Sequence, residues 1–458
     1  MTCGIEGRWG MMTDETKEGL GPTSGTTQPR YTLTTAFLIV RNMETSSTRS
    51  AVFEEIKRKN NIINIVENIY SKSKITALKK IMLFLFMLKC VLSVKPRLQK
   101  TTEIVSTGIF ANEFHAIDRI MGIAPGFIFA VLEPRKSHAL HPRQLVTALY
   151  FLMAMPSMWS VFGRIAKRYE FMPACRMAST IGYYMLFRRS IRSAPQVKGV
   201  LLASNYSPDA VALSAAAHSC SRKVVYTNHA HIPLNGPYLP PVLADLSIFS
   251  GEIIRETYQQ RSQCNNDVSL IGVDNPTAVM SWKKRPFSIG IFLTALTNVD
   301  AIEKLAGEIS ELGADIMVNI RHHPVSLLHT DLTPLITRFP NARITAGGPL
   351  EDDIADCDVV LCGNSGVALN VLRVGKPVAY CAALDALPYD YNGFVANHLV
   401  PEIDSWRQDT YEQLREFYTQ PTWHDVMTRY DASYGQDIDT LEADCQQAII
   451  KCLGLPTS

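Results

Sequence analysis

The chain lacks the short signatures that usually disclose a protein's chemistry. Its ten cysteines are scattered singly among 458 residues, and the closest two, Cys357 and Cys362, do not have the C-x-x-C spacing of common zinc or redox sites. That scatter predicts a reduced, intracellular compartment. Neither sign of charge dominates: 45 basic against 43 acidic residues leave a formal +2, which argues against a generic nucleic-acid binder. There is no Gly-Lys-Ser/Thr loop and no G-x-G-x-x-G run, so neither a P-loop nor a dinucleotide fingerprint is present. The opening also lacks the charged segment and apolar core of a signal peptide. Residues 1–30 are polar and rich in Gly and Thr ("TKEGLGPTSGTTQPR"), which predicts a disordered extension outside the fold.

Long apolar runs are scarce as well. "IMLFLFML" (81–88) is ended by Lys89 and falls short of the ~20 residues a spanning helix needs. It sits between Ser71 and Lys100 among eight Lys or Arg residues and no acidic one, a pattern that predicts a helix lying in the plane of an anionic membrane surface. The stretch "LVTALYFLMAMPSMWSVFG" (145–163) is uncharged, but Pro156 and several small polar residues interrupt it. A buried helix or helix pair is its first reading, a membrane-dipping surface its second, and a single span its last.

What the sequence does have is alternation. At 458 residues it exceeds the size at which one core keeps growing, so two domains are expected. From about residue 103, short runs rich in Val and Ile alternate with helix-like segments: "EIVSTGIF", "FIFAVLE", "VKGVLLAS", "KVVYTN" and "DLSIFS" read as buried parallel strands. Ser207, Pro208 and Asp209 mark a helix start after the third. "IGVDNPTAVMSWKKRP" breaks the pattern and reads as a linker, after which "FSIGIFLT", "ADIMVNI", "ARITA", "CDVVLC" and "PVAYC" restart it. The expected fold class is therefore α/β, with two Rossmann-like doubly wound domains facing a cleft. Residues 31–102 form a basic, partly apolar N-terminal segment, 103–280 the first domain, and 285–458 the second domain with closing helices.

Ligands of such sheets bind beyond the carboxyl ends of the strands. Arg321, His322 and His323 follow "ADIMVNI" directly, where a guanidinium and an imidazole suit phosphate oxygens. Alternation points His322 away from His323, so His322 reads as a structural strand-end residue. The turn "GNSG" after "CDVVLC" places Gly366 and the side chains of Asn364 and Ser365 at a helix start, which serves equally as an anion site or as an ordinary capped turn. Asp385 and Tyr389 in "DALPYDYNGFV" lie in a loop of the same edge without an assigned role.

The succession "RHHP" and "CDVVLCGNSGVALNVLRVGKPV" resembles the C-terminal, nucleotide-binding half of GT-B glycosyltransferases. More narrowly, it looks like bacterial surface-polysaccharide enzymes: polysialyltransferases and related sialyltransferases with their His-Pro motif, and teichoic-acid glycerophosphotransferases with R-x-H-P. The resemblance covers about residues 285–382, and the first half only by architecture. It implies that His323 contacts the donor's nucleotide phosphate and protonates it on departure, with Asn364, Ser365 and Gly366 holding phosphate or ribose. The acidic-acidic-Gly motif that supplies the sialyltransferases' base is absent, which leaves the base unassigned and puts sialic acid itself in doubt.

A base for the acceptor hydroxyl must come from across the cleft. His229 and His231 in "YTNHAHIP", Glu252 in "SGE", and Asn112, Glu113 and His115 in "GIFANEFHAID" follow first-domain strands. His229 is preferred, since the teichoic-acid enzymes carry a histidine in that half; Glu113 and Glu252 stay open. No third ligand at metal spacing accompanies the H-A-H pair, so no metal and no cofactor is expected. The expected activity is transfer of a sugar, inverting and metal-independent, from a CMP-, CDP- or UDP-type donor to a glycan or lipid-linked acceptor in surface polysaccharide (capsule) biosynthesis. The expected place is the cytoplasm, peripheral on the inner face of the membrane. Polyol-phosphate transfer and nucleotide-sugar 2-epimerisation are the enzymatic rivals. A glycan-binding or scaffold protein with a decayed cleft is the non-enzymatic one.

Overall fold

The computed structural model describes residues 31–454 except 47–48, 51–52, 55–56, 58–59, 95–97, 133–141, 262–265, 273–279, 295, 314, 324–330, 346–347 and 388. The polar opening, the middle of the expected linker and Pro324 thus lie outside the described residues.

In the first half, α1 (Leu33–Glu44), α2 (Asn61–Lys72) and α3 (Thr76–Leu92) precede β1 (Ile104–Thr107), α4 (Ala111–Ile123) and β2 (Phe129–Leu132). Two long helices follow, α5 (Pro142–Arg168) and α6 (Phe171–Arg192), then β3 (Gly199–Leu202), α7 (Pro208–Ser219), β4 (Lys223–Thr227), β5 (Leu246–Phe249), α8 (Glu252–Arg261) and β6 (Asp267–Leu270). The second half begins with β7 (Ser288–Phe292), α9 (Val299–Leu312), β8 (Met317–Arg321), α10 (Thr333–Arg338) and β9 (Ala342–Thr345). It continues with α11 (Leu350–Ala355), β10 (Val359–Cys362), α12 (Val367–Arg373) and β11 (Val378–Tyr380). Helices α13 (Thr410–Tyr418), α14 (Pro421–Tyr430) and α15 (Ile438–Leu453) close the chain.

Two parallel sheets result, in the orders β2-β1-β3-β4-β5-β6 and β11-β10-β7-β8-β9. The central strands of the first are buried on both faces, and their residues alternate between two apolar layers. Val105, Val200, Leu202, Val224 and Tyr226 point to one layer, and Ile104, Leu201 and Val225 to the other. That is why the strands read as continuous apolar runs. The two doubly wound, parallel-sheet α/β domains expected from the sequence are found.

Three features differ from expectation. Strand β6 (sequence "DVSL") is short, polar-rich and only partly buried on the sheet's edge, so its apolar signal is too weak to see. The segment 31–102 is not a separate appendage: α1 packs on α6 and α7, and α3 packs on α5 and α6 with Leu83, Phe84, Met87 and Val91 buried. Finally, α15 does not close the second domain. It crosses back and lays Cys445, Ile449 and Leu453 on the outer layer of the first sheet, against Leu201, Val225 and Leu246. Gly199 permits this approach, since a Cβ there would stand 2.5 Å from a methyl of Leu453 and 2.9 Å from the Lys223 carbonyl.

Helix α7, rich in Ala and buried almost throughout, separates the first sheet from α6. Its small side chains let the layers approach closely, a role that no amphipathic stripe could disclose. Helix α5 is the one described helix long and apolar enough to cross a membrane. It instead buries Phe151, Met158, Val161, Phe162 and Ile165 beside α3 and α6.

Candidate active site

Because every strand is parallel, each sheet ends along one edge. Strand order reverses between β1 and β3 in the first sheet and between β7 and β10 in the second, and at such switch points the flanking loops part to leave a crevice. The carboxyl edges face one another. The loop after β4 meets the loop after β11: Asn235 donates through its backbone N–H to the Tyr391 carbonyl (3.1 Å) and through Nδ2 to the Asp390 carbonyl (2.8 Å). His231 Nε2 lies 3.3 Å from the Asn392 carbonyl.

On the second edge, Arg321 of β8 and Cys362 of β10 are both level with Phe292 of β7. With neighbouring strands ~4.8 Å apart, the residues that follow them emerge on one edge roughly 10 Å from each other. His323 and the turn at 363–366 therefore both follow strand ends on the carboxyl edge of the second sheet. His323 is partly exposed, and burial lowers its pKa below the ordinary imidazole range, so its resting form is neutral. His322 is buried at 7% exposure, with Nδ1 unpartnered among the described residues.

Two expected phosphate ligands have other work. The Arg321 guanidinium pairs with Asp353 at α11 and donates to the carbonyls of Gly348 (3.0 Å) and Pro349 (3.3 Å), which ties the end of β8 to the loop before α11. It is not presented as a free fork. Asn364 clamps the loop after β11: Nδ2 donates to the carbonyls of Leu387 (2.9 Å) and Tyr389 (3.0 Å), and Oδ1 accepts from the Tyr391 N–H (2.7 Å). Its amide is fully engaged, and its backbone N–H donates to Asp385 at 3.3 Å.

Ser365 is partly exposed and Gly366 exposed on this turn. A Cβ added at Gly366 would meet nothing within 4 Å, which leaves open backbone for a ligand to approach. The Ser365 hydroxyl accepts from the Val367 N–H (3.3 Å) and keeps its own proton for donation. Beneath the turn, Asp385 is buried and its pKa raised, first by desolvation. It accepts from Asn364 and Leu387 and joins the turn to the following loop.

On the first edge, His229 is the candidate with suitable geometry. Its Nδ1 is hydrogen-bonded to the Ala203 carbonyl at the end of β3. A carbonyl can only accept, so Nδ1 carries the proton and Nε2 the lone pair, the tautomer a general base needs. Burial lowers its pKa, which keeps the imidazole neutral near pH 7. His231 is instead sealed between Phe394 and Tyr430, with ring centroids 4.7 and 5.5 Å away, and its pKa is pushed down to about 4 by burial; it fastens the two halves together.

Neither acidic candidate is placed as a base. Glu113 is buried, and its Oε2 accepts from the N–H groups of Ile109 (2.6 Å) and Phe110 (3.0 Å), so it fixes the start of α4. Glu252 pairs with Arg255 one turn along α8, where the helix dipole accounts for its position.

Sequence reasoning missed the carboxylate at the first switch point. Asp209, read as a helix-start residue, is wholly buried beside the end of β1: Thr107 Oγ1 donates to its Oδ2 at 2.9 Å, and Oδ1 meets no hydrogen-bond geometry among the described residues. Its pKa is pushed up to about 6, by burial first and by Glu113 second. Asp390 was likewise invisible. It accepts from three consecutive N–H groups, those of Phe394, Val395 and Ala396, at 2.9 Å each and so shapes the loop that touches the first half. Among the described residues, no group of three or more His, Cys, Asp or Glu side chains is arranged to hold a metal ion.

No protein-family model matches the chain, and no curated protein is significantly similar to it. Among solved structures, it is similar to a UDP-GlcNAc 2-epimerase from Neisseria meningitidis bound to UDP-GlcNAc, at 12% identity and a TM-score of 0.46, over 76% of this chain and 100% of that one. It is also similar to the glycosyltransferase SnogD from Streptomyces nogalater (12% identity, TM-score 0.44, 78% and 100% covered) and to MurG from Acinetobacter baumannii (11%, 0.40, 76% and 99%).

Proposed function

We propose that this chain is a GT-B-type transferase that moves a glycosyl unit from a nucleotide-activated donor to a hydroxyl of a glycan or lipid-linked acceptor. One observation carries the reading. Two doubly wound sheets meet at their carboxyl edges, with a neutral, Nδ1-anchored imidazole on one edge and, on the other, a partly exposed imidazole and an open glycine turn. In this reading the acceptor oxygen attacks the anomeric carbon while its proton passes to His229 Nε2. The bond between the anomeric carbon and the donor phosphate breaks, and its electron pair goes to the phosphate oxygen. His323, neutral at rest, stabilises that oxygen by donating one N–H, with the Ser365 hydroxyl as a second donor. Attack from the face opposite the phosphate inverts the anomeric centre, and no step requires a metal. A CMP-, CDP- or UDP-type donor and a role in surface polysaccharide synthesis belong to the same proposal.

A second reading, a binding protein without turnover, is favoured by one finding. Arg321 and Asn364 have structural duties, so their presence does not by itself argue for catalysis.

Thermal shift with cytidine, uridine and guanosine nucleotides tests the proposal. One class is expected to raise Tm, and His323→Ala to lose most of that rise. Release of nucleotide from the matching sugar donor only when an acceptor is present then marks a transferase, and acceptor-independent release an epimerase. No shift with any class removes both the transferase and the epimerase readings.

A further inference from the structure

The first half carries an outermost layer that the cleft does not use. Helices α2, α3 and α5 all pack against α6, with α3 in the middle touching both neighbours, and α6 is itself buried along most of its length. Their far sides therefore point outward together. Those far sides are apolar at helical spacing: Ile62, Ile65 and Ile69 on α2 are 73, 58 and 50% exposed, and Leu78, Ile81 and Leu85 on α3 are 38, 42 and 57% exposed. On α5, Leu145, Leu149, Leu152 and Met153 are 51 to 68% exposed. Twelve of the twenty large apolar side chains exposed among the described residues lie on these helices or, as Ile75, at the N-cap of α3. A concentration of exposed apolar side chains of this kind marks an interaction surface.

The charge of these helices selects the occupant. Over residues 61–92 and 145–168 there are eight Lys or Arg and a single acid, Glu67. Glu67 is buried, where it accepts from Ser71 Oγ (3.1 Å) and the Phe171 N–H (3.2 Å), so it adds no negative charge to the outer surface. Lys72, Lys74 and Lys89 are exposed; Lys79 and Lys80 lie across the rings of Tyr70 and Trp159 at 4.9 Å, their stems along the apolar layer. A protein partner would meet apolar stripes with an uncompensated positive charge. An anionic bilayer meets both needs, since the stripes enter the acyl boundary and the ammonium groups reach headgroup phosphates.

We propose that the outer faces of α2, α3 and α5 form one docking surface for an anionic lipid bilayer, on which the first half rests with these helices parallel to the membrane plane. Helix α5 lies along the surface and does not cross it, because its other side is occupied by α3 and α6. The surface is independent of the nucleotide reading, and vesicle binding is measured without any sugar donor.

The test is flotation of the full chain with phosphatidylcholine vesicles made with and without phosphatidylglycerol. Vesicles containing phosphatidylglycerol are expected to carry the protein, and pure phosphatidylcholine at least about tenfold less, given the attraction of each lysine for an anionic surface. Combining Ile65→Ser, Ile81→Ser and Leu149→Ser is expected to abolish flotation with Tm unchanged, since the side chains are exposed. Lys72→Glu with Lys74→Glu is expected to weaken it about tenfold or more. Three outcomes would overturn the proposal: no flotation with phosphatidylglycerol, equal flotation on both vesicle types, or a triple variant that floats like the parent. A lipid-free dimer that the triple variant splits would assign the surface to a second copy and overturn it equally.

Discussion

Replacing Asp209 with Asn is expected to stabilise the protein above pH 6 and to do nothing useful at pH 4. The carboxyl group is completely buried at the first switch point, with one oxygen bonded to Thr107. Burial raises its pKa from 3.8 to about 6. In the unfolded chain the group ionises near its ordinary value, so between these two pKa values the native state holds a proton that the unfolded state has lost. Stability must therefore fall as pH rises from about 4 to about 6, and the whole penalty persists above that. A shift of about two units corresponds to about 3 kcal/mol. Asn has no such titration and can still accept from Thr107 through its amide oxygen. The Tm difference between Asp209→Asn and the parent, measured by scanning calorimetry from pH 4 to pH 8, should start near zero or slightly negative. It should rise through pH 5–6 and level off at roughly 3–6 °C. Parallel profiles across that range, or a parent that gains on the variant as pH rises, would refute the argument.

His229→Gln should lower kcat by about 10²–10⁴-fold with nucleotide affinity retained, since only the proton acceptor is removed. In the parent, the acid limb of kcat should have its midpoint below 6.5, the ordinary imidazole value, because burial holds His229 neutral. Arg321→Ala should cost about 2–3 kcal/mol by stranding Asp353, whose side chain is 13% exposed. The Tm rise that nucleotide produces should survive that substitution, and its loss would return Arg321 to the ligand.

Strand positions were legible because buried parallel strands must be apolar on both faces, as Val200, Leu201 and Leu202 show by feeding two different layers. The shared edge of His323 and the glycine turn was legible for the same reason: once β8 and β10 are strands of one parallel sheet, their ends follow. What the sequence could not show is which polar side chains the fold consumes. Arg321 and Asn364 look like ligands in a linear motif, and only the approach of Asp353 and of residues 387–391 turns them into struts. Asp209 is the converse, a residue with an ordinary helix-start explanation that tertiary packing places against Thr107 across the switch point. Local pattern carries backbone geometry well; a side chain's partners depend on contacts from about twenty to a hundred residues away.

The same limit explains α15 and yields a decisive experiment. Chain order assigns residues 438–453 to the second domain, because helices that follow a sheet usually pack on it. Here the crossing is set by the segment between α14 and α15. Gly251 has no Cβ to strike the carbonyls of Arg429 and Tyr430, which would lie 2.5 and 2.4 Å from it, and the Ala432 N–H donates to the Ser250 carbonyl at 2.8 Å. Thereafter Ile449 is 2% exposed on the first sheet's outer layer, and truncating it to Ala should cost about 2–5 kcal/mol. Hydrogen exchange locates where that loss is felt. If α15 belongs to the first sheet, Ile449→Ala will speed exchange in β4, β5 and β6, the strands that α15 covers, and leave β7 to β11 protected as in the parent. Faster exchange confined to the second sheet would mean that the helix belongs where chain order puts it, and that the two halves are not tied together through their C-terminus.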